Sequence, residues 1–171
     1  NKISVAGSVE NIGETAEFTR HGTRWSDLEH NMKKLIDCGV ELTISSTISA
    51  LTVIHYDKFL DWIANCGYKL YNGNNFVTQP KFQHIGVLPL EIRKKCATRI
   101  SKSIANNQEY FAWKKSKEKL LKVVDALLLD YDKDLNLQQD LKNFYIQYCQ
   151  MTGKAENILG EEFNSWIQSI D

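Results

Sequence analysis

The sequence predicts an α/β fold with parallel strands, followed by an α-helical extension. Two observations carry that expectation. The first half alternates strand and helix patterns, with connections long enough to cross back over a sheet. After Pro89, the last proline, the apolar residues recur only at helical spacing.

The elements follow in order. Ile3 and Val5 alternate with polar residues, which predicts a strand over 2–6 that Gly7 ends. Gly13 and Gly22 punctuate a loop with a short helical turn over 16–20. Ser26 followed by Glu29 fits a capping box, and Leu28, Met32, Leu35 and Ile36 follow at helical spacing. Gly39 stands where a helix end wants a residue that tolerates positive φ. Residues 40–48, VELTISSTI, are rich in β-branched side chains and alternate, so they predict a second strand. Residues 55–66 place Phe59, Trp62 and Ile63 on a helix closed by Gly67. YKLY at 68–71 predicts a third strand, and Asn72, Gly73, Asn74 and Asn75 a turn. This order implies a parallel sheet with right-handed crossovers. Functional residues of such sheets gather at strand carboxyl ends, here 6–10, 47–50 and 72–80.

Pro89 suits the first turn of a helix. Ile92, Cys96, Ile100 and Ile104 share one face of a helix over 90–105, and 108–131 reads as one long helix around Leu120, Val123, Val124, Leu127 and Leu128. Two more helices, over 137–151 and 161–170, carry Leu141, Phe144, Tyr145 and Tyr148, then Phe163, Trp166, Ile167 and Ile170. The chain therefore divides into 1–89 and 90–171 at a change of architecture, without a flexible linker or internal repeat.

Composition narrows the function. With 171 residues, 43% of them hydrophobic and 25% charged, the chain is long enough for one domain with a real core. Basic and acidic residues number 21 each, so net charge gives no support for a nucleic-acid or anionic-membrane surface. No apolar run spans a bilayer, and the N-terminal residues do not form a signal peptide. The four cysteines contain no CxxC pair, which excludes zinc and redox motifs of that spacing; reduced thiols in a cytoplasmic protein are the favoured reading. Asn1 directly precedes the first strand pattern, so the chain is expected to be part of a longer protein with material upstream.

Few residues declare chemistry on their own. Glu10, Glu14 and Glu17 lie in a loop, where solvated carboxylates are favoured over acid–base catalysts. Asp130, Asp132 and Asp134 suggest a calcium loop, but Leu135 occupies the position where that loop needs glycine. His21, His30, His55 and His84 form no HxH or HxxxH pair. His55 and His84 both follow strand ends and could approach each other, although roles at helix starts and in loops are favoured. Lys114, Lys115, Lys117, Lys119 and Lys122 are interleaved with acids and read as a solvated helix face rather than a phosphate stripe. No P-loop, dinucleotide or α/β-hydrolase motif occurs, and Ser45, Ser46 and Ser49 have no histidine partner identifiable from sequence.

One stretch carries a resemblance. Gly7, Ser8, Val9, Glu10, Asn11, Ile12 and Gly13 are followed by Ala16, Glu17, Phe18, Thr19, Arg20, His21, Gly22, Thr23, Arg24 and Trp25. This run resembles the segment after the fourth barrel strand of radical S-adenosylmethionine (SAM) proteins of the twitch and SPASM type. There a serine-containing turn is followed by an aromatic-x-Arg-x-Gly element, a tryptophan and a helix. Ser46 to Leu51 and Phe59 to Trp62 resemble the fifth strand and its helix; Gln79-Pro80 and Val87 to Pro89 resemble the exit from the sixth. The resemblance covers about the first ninety residues, and its order and spacing matter more than any one motif.

The resemblance implies the second half of a partial (β/α)6 TIM-type barrel, residues 1–89, followed by a helical extension. It implies that Ser8 and Arg20 contact SAM, that Ser45 or Thr47 faces inward, and that Val77 lies near adenine. The implied cofactors are SAM and a [4Fe–4S] cluster bound by residues outside this chain, because the CxxxCxxC loop is absent here. The implied reaction is hydrogen abstraction by a 5′-deoxyadenosyl radical from a substrate, plausibly a peptide, and the fragment alone is expected to be inactive. Glu10-Asn11 departs from the family's Asp-Gly, and Thr52 stands where Asn is usual. The alternative is a non-catalytic α/β interaction module using Tyr110, Trp113, Tyr145, Tyr148 and Trp166 of the tail.

Overall fold

The computed structural model describes residues 3–67, 71–112 and 116–170. A three-stranded parallel sheet, ordered β1 (Ser4–Ser8), β2 (Glu41–Ile48), β3 (Tyr71–Phe76), forms its N-terminal part. Ser8 is in register with Ser45, and Thr47 with Asn75. The connection from β1 to β2 contains α1 (Gly13–Thr19) and α2 (Trp25–Asp37); that from β2 to β3 contains a 3-10 turn (Thr52–His55) and α3 (Tyr56–Asn65).

Alternation on β2 sorts the two faces of the sheet. Leu42, Ile44, Ser46 and Ile48 are buried, whereas Thr43 and Ser45 are half-buried and Glu41 and Thr47 exposed. A period-2 strand whose one face meets helices gives this pattern. The other face is small and polar, with Ser4, Ala6 and Ser8 exposed on β1.

Several local expectations are corrected. The first strand runs two residues later than 2–6 and passes through Gly7, where an added Cβ would meet nothing within 4 Å. The glycine does not interrupt the strand, because the ladder to β2 is made by backbone groups alone. Residues 72–75 are strand, not turn: the backbone of β2 offers pairing that outweighs the turn preference of an Asn-Gly-Asn-Asn run. Residues 68–70 of the predicted third strand lie outside the described residues. The Ser26 capping box does not form either. Helix α2 starts at Trp25 without a side-chain cap at its N-cap residue, and Glu17 of α1 accepts a hydrogen bond from the Trp25 N–H at 3.0 Å. The single helix over 108–131 is instead α5 (Gln108–Phe111) and α6 (Ser116–Leu128), and residues 113–115 lie outside the described residues.

The tail comprises α4 (Leu90–Asn106), α5, α6, α7 (Leu135–Thr152) and α8 (Glu161–Gln168). Helix α4 packs on α3 and α6, and α6 packs beside β3. One hydrophobic core includes Phe18, Ile48 and Ile85 from before Pro89 and Ile100, Leu120, Tyr145 and Phe163 from after it. Polar ties reinforce the join. Ser103 donates to Asp61 at 2.6 Å, Gln138 donates to the Val87 carbonyl at 3.0 Å, and Tyr148 donates to the Phe18 carbonyl at 2.7 Å. Asp134, drawn from the acidic run, is the N-cap of α7 and accepts from the N–H groups of Asn136 and Leu137.

Candidate functional site

A cavity of about 320 Å³ opens at the carboxyl ends of the strands. Glu10 follows β1, Arg20 follows α1, Thr47 and Ser49 come from the end of β2, and Val77 follows β3; all five line it. The ladder holds these exits together beyond the strands themselves: Val9 N–H donates to the Ser45 carbonyl at 3.2 Å and Val77 N–H to the Ile48 carbonyl at 2.9 Å. Phe144 and Tyr148 of α7 form the opposite wall, stacked at 5.5 Å and 17°, with Phe144 also resting on Phe82 at 5.4 Å.

The charged centre is an ion pair. Arg20 Nε donates to Glu10 Oε2 at 2.7 Å and Nη2 to Oε1 at 2.9 Å, a two-point match of fork to carboxylate. Glu10 is 4% exposed, while the Arg20 side chain is 42% exposed, so the carboxylate is the anchor and the guanidinium faces outward. Oε1 also accepts from the Thr47 N–H at 3.3 Å, tying the pair to β2. The bond to Glu10 holds the Arg20 guanidinium above its usual range. Nη1 makes no hydrogen bond among the described residues and remains available to an anionic or hydroxyl-bearing ligand.

The polar exits are internally braced. Ser49 and Thr52 cap each other: the Ser49 N–H donates to Thr52 Oγ1 at 2.8 Å, and the Thr52 N–H to Ser49 Oγ at 3.1 Å. Thr52 Oγ1 also donates to the Thr47 carbonyl at 2.8 Å. Asn11, 1% exposed, donates to the Thr52 carbonyl at 3.3 Å, which links the exit of β1 to that of β2. Glu10 and Asn11, adjacent after β1, are thus tied to the exit of β2 through Thr47 and Thr52 respectively.

Of the residues singled out in the sequence, Arg20, Thr47 and Val77 line this one cavity. Ser8 and Ser45 do not line it. They are paired in register on the open sheet face, and Ser45 Oγ accepts from Asn75 at 3.4 Å. Glu10 is not the solvated surface carboxylate expected of it; burial and the Arg20 fork make it the core of the site. Sequence reasoning missed Phe144 as a site residue and named Tyr148 only as a tail aromatic of the alternative interaction module. His55 and His84 occupy separate surroundings. His55 lies beside Gly160, whereas His84 Nδ1 accepts from the Gly86 N–H at 3.1 Å and its ring meets Tyr131.

The cysteines are dispersed: Cys38 is exposed, Cys66 half-buried, and Cys96 and Cys149 buried, all as free thiols. Among the described residues no three His, Cys, Asp or Glu side chains are grouped so as to hold a metal ion, and no helix is long and apolar enough to cross a membrane. No protein-family model, curated protein or solved structure matches the chain.

Proposed function

We propose that this chain is the SAM- and substrate-binding portion of a radical SAM enzyme, the last three strands of a partial (β/α)6 barrel with a helical tail. The observation that carries the reading is the gathering of Arg20, Thr47 and Val77 in one cavity at the carboxyl ends of parallel strands. The layering supports it as well, because helices cover one face of the sheet and leave the other small and polar, as the inner wall of a barrel around a polar ligand would be.

The residues present fit SAM. The outer N–H groups of Arg20 suit the carboxylate of its amino-acid moiety, the hydroxyl of Thr47 suits the ribose, and Val77 offers apolar surface to the adenine, whereas Ser8 and Ser45 lie outside the cavity. Bound beside a [4Fe–4S] cluster that receives one electron from an external reductant, SAM would supply radical hydrogen-abstraction chemistry. The dispersed cysteines do not fit that cluster, so its ligands belong to residues outside this chain. A peptide in the cytoplasm is the proposed substrate. This chain's own part is to bind and orient, with Glu10 fixing the Arg20 fork and the Phe144–Tyr148 wall limiting access of water.

The test is to express the whole reading frame that contains this chain, reconstitute it anaerobically and measure 5′-deoxyadenosine release from SAM. The expected result is release that requires an upstream CxxxCxxC, with SAM binding weakened at least about tenfold in Arg20→Ala. A reading frame without that motif overturns the class, and an Arg20→Ala variant that binds SAM like the parent overturns the site.

A further inference from the structure

A second cavity, of about 630 Å³, lies away from the strand ends, between the start of α4, the link from α6 to α7 and the end of α8. Its central polar group is Arg93, 3% exposed. Three backbone carbonyls fix this side chain: Nε donates to Leu88 at 3.0 Å, and Nη1 donates to Leu127 at 2.8 Å and Leu129 at 2.7 Å. The Tyr131 ring lies 4.8 Å from the guanidinium. No carboxylate among the described residues is within ion-pair distance of Arg93, so its nearest partners are carbonyl dipoles and a π face, with Asp130 acting at longer range.

One edge of the guanidinium is left over. Nη2 has no hydrogen-bond partner among the described residues, yet it is not one of the fully buried unpartnered atoms, so it opens to the cavity that Arg93 lines. Lys133 and Asp130 also line the cavity, which leaves one positive charge in excess among its described lining residues. Asp130 is exposed and water screens it, whereas Arg93 is not. Gln138 and Ser169 add neutral polar groups, and the rest of the lining is apolar or aromatic, including Leu135, Tyr131, Trp166 and Ile170.

We propose that this cavity binds the carboxylate of an apolar organic acid, with the carboxylate on Arg93 Nη2 and the hydrocarbon body against Tyr131, Trp166 and Leu135. A rigid, already desolvated donor loses little on binding an anion. The single desolvated Nη2 group suits one negative charge; Lys133, the other cation of the lining, is exposed to solvent. A free acid and the carboxyl terminus of a peptide share this chemistry. The site is independent of the strand-end cavity and of the reading given to it.

The test is calorimetric titration of the intact chain with 4-phenylbutyrate and its amide, and with N-acetyl-Leu-Phe carrying a free or an amidated terminus. Saturable binding of the acids, at least about tenfold tighter than of the amides, is expected. Tighter binding of phenylbutyrate assigns a free acid, and tighter binding of the dipeptide a peptide terminus. Arg93→Lys abolishes the acid–amide difference. Because Arg93 also ties α4 to α6, Leu135→Glu is the second variant. Residue 135 is 62% exposed, so the fold tolerates the change; loss of the Leu135 contact weakens acid and amide alike, and the like charge at the cavity mouth weakens the acids about fivefold more. Equal binding of acid and amide, absence of saturation by either, or an equal effect of Leu135→Glu on acid and amide overturns the proposal.

Discussion

Glu10→Gln isolates the charge at the centre of the strand-end cavity while keeping its shape. The carboxylate accepts two hydrogen bonds from Arg20 and one from the Thr47 N–H. A glutamine presents one oxygen, and its amide nitrogen must then face a donor. Hydrogen bonds to a charged group contribute about 1.5–3 kcal/mol each in buried settings. The Arg20 side chain is 42% exposed, so solvent screening reduces the share of its two bonds. The net expectation is a loss of about 2 kcal/mol, equivalent to a fall in Tm of about 4–8 °C for a chain of this length. Urea denaturation of the parent, Glu10→Gln, Arg20→Gln and the double variant closes a thermodynamic cycle, with an expected coupling energy of about 1–2 kcal/mol. Coupling below about 0.3 kcal/mol, with Glu10→Gln as stable as the parent, would refute the claim that Glu10 holds Arg20 in place.

Two further outcomes are expected. Burial, with Lys58 nearby, holds His55 below the usual imidazole range, and burial, with Arg93 nearby, does the same for His84. The unfolded chain therefore binds more protons than the folded one just below about pH 6.5. Stability is full above that pH and falls as pH drops through the lowered folded values. Stability curves of His55→Gln and His84→Gln should lose part of this slope, and unchanged slopes in both would show that other groups carry it. Among the thiols, Cys38 is exposed, whereas burial pushes Cys96 up to about 11. A disulfide reagent at pH 8 should modify Cys38 within seconds to minutes and spare Cys96 until the protein unfolds; early labelling of Cys96, read by mass spectrometry, would contradict its placement.

The parts of the fold legible in the sequence are those where local pattern and tertiary packing agree. Strand β2 alternates and is β-branched, and its buried face is the one the alternation marks. Helices α3 and α4 put Phe59, Ile63, Ile92 and Ile100 inside, as their spacing predicts. Strand β3 was hidden because Asn and Gly are poor strand formers, and only the neighbouring backbone makes an extended conformation favourable there. At the site, Thr47 and Val77 fall within the strand ends read from the sequence, whereas Arg20, which follows α1, was singled out only through the family resemblance. Glu10 was not readable as a site residue, since burial of a carboxylate depends on a partner ten residues further along. A glutamate just past a strand end with an arginine at the close of the next helix is the one signal that could have found it. Phe144 and Tyr148 left no local trace, because helical spacing marks a residue as inward without saying what it faces.

The bond from Tyr148 to the Phe18 carbonyl spans a sequence separation of 130 residues. A chain leaving the ribosome exposes α1 and β2 long before α7 exists, so the polar strand ends wait unroofed through most of synthesis. Closing so long a loop costs entropy that nearby contacts do not, and topologies rich in such distant contacts fold slowly. The strand-end cavity is therefore among the last parts of this protein to exist, and a chain interrupted after Pro89 lacks the wall that completes it.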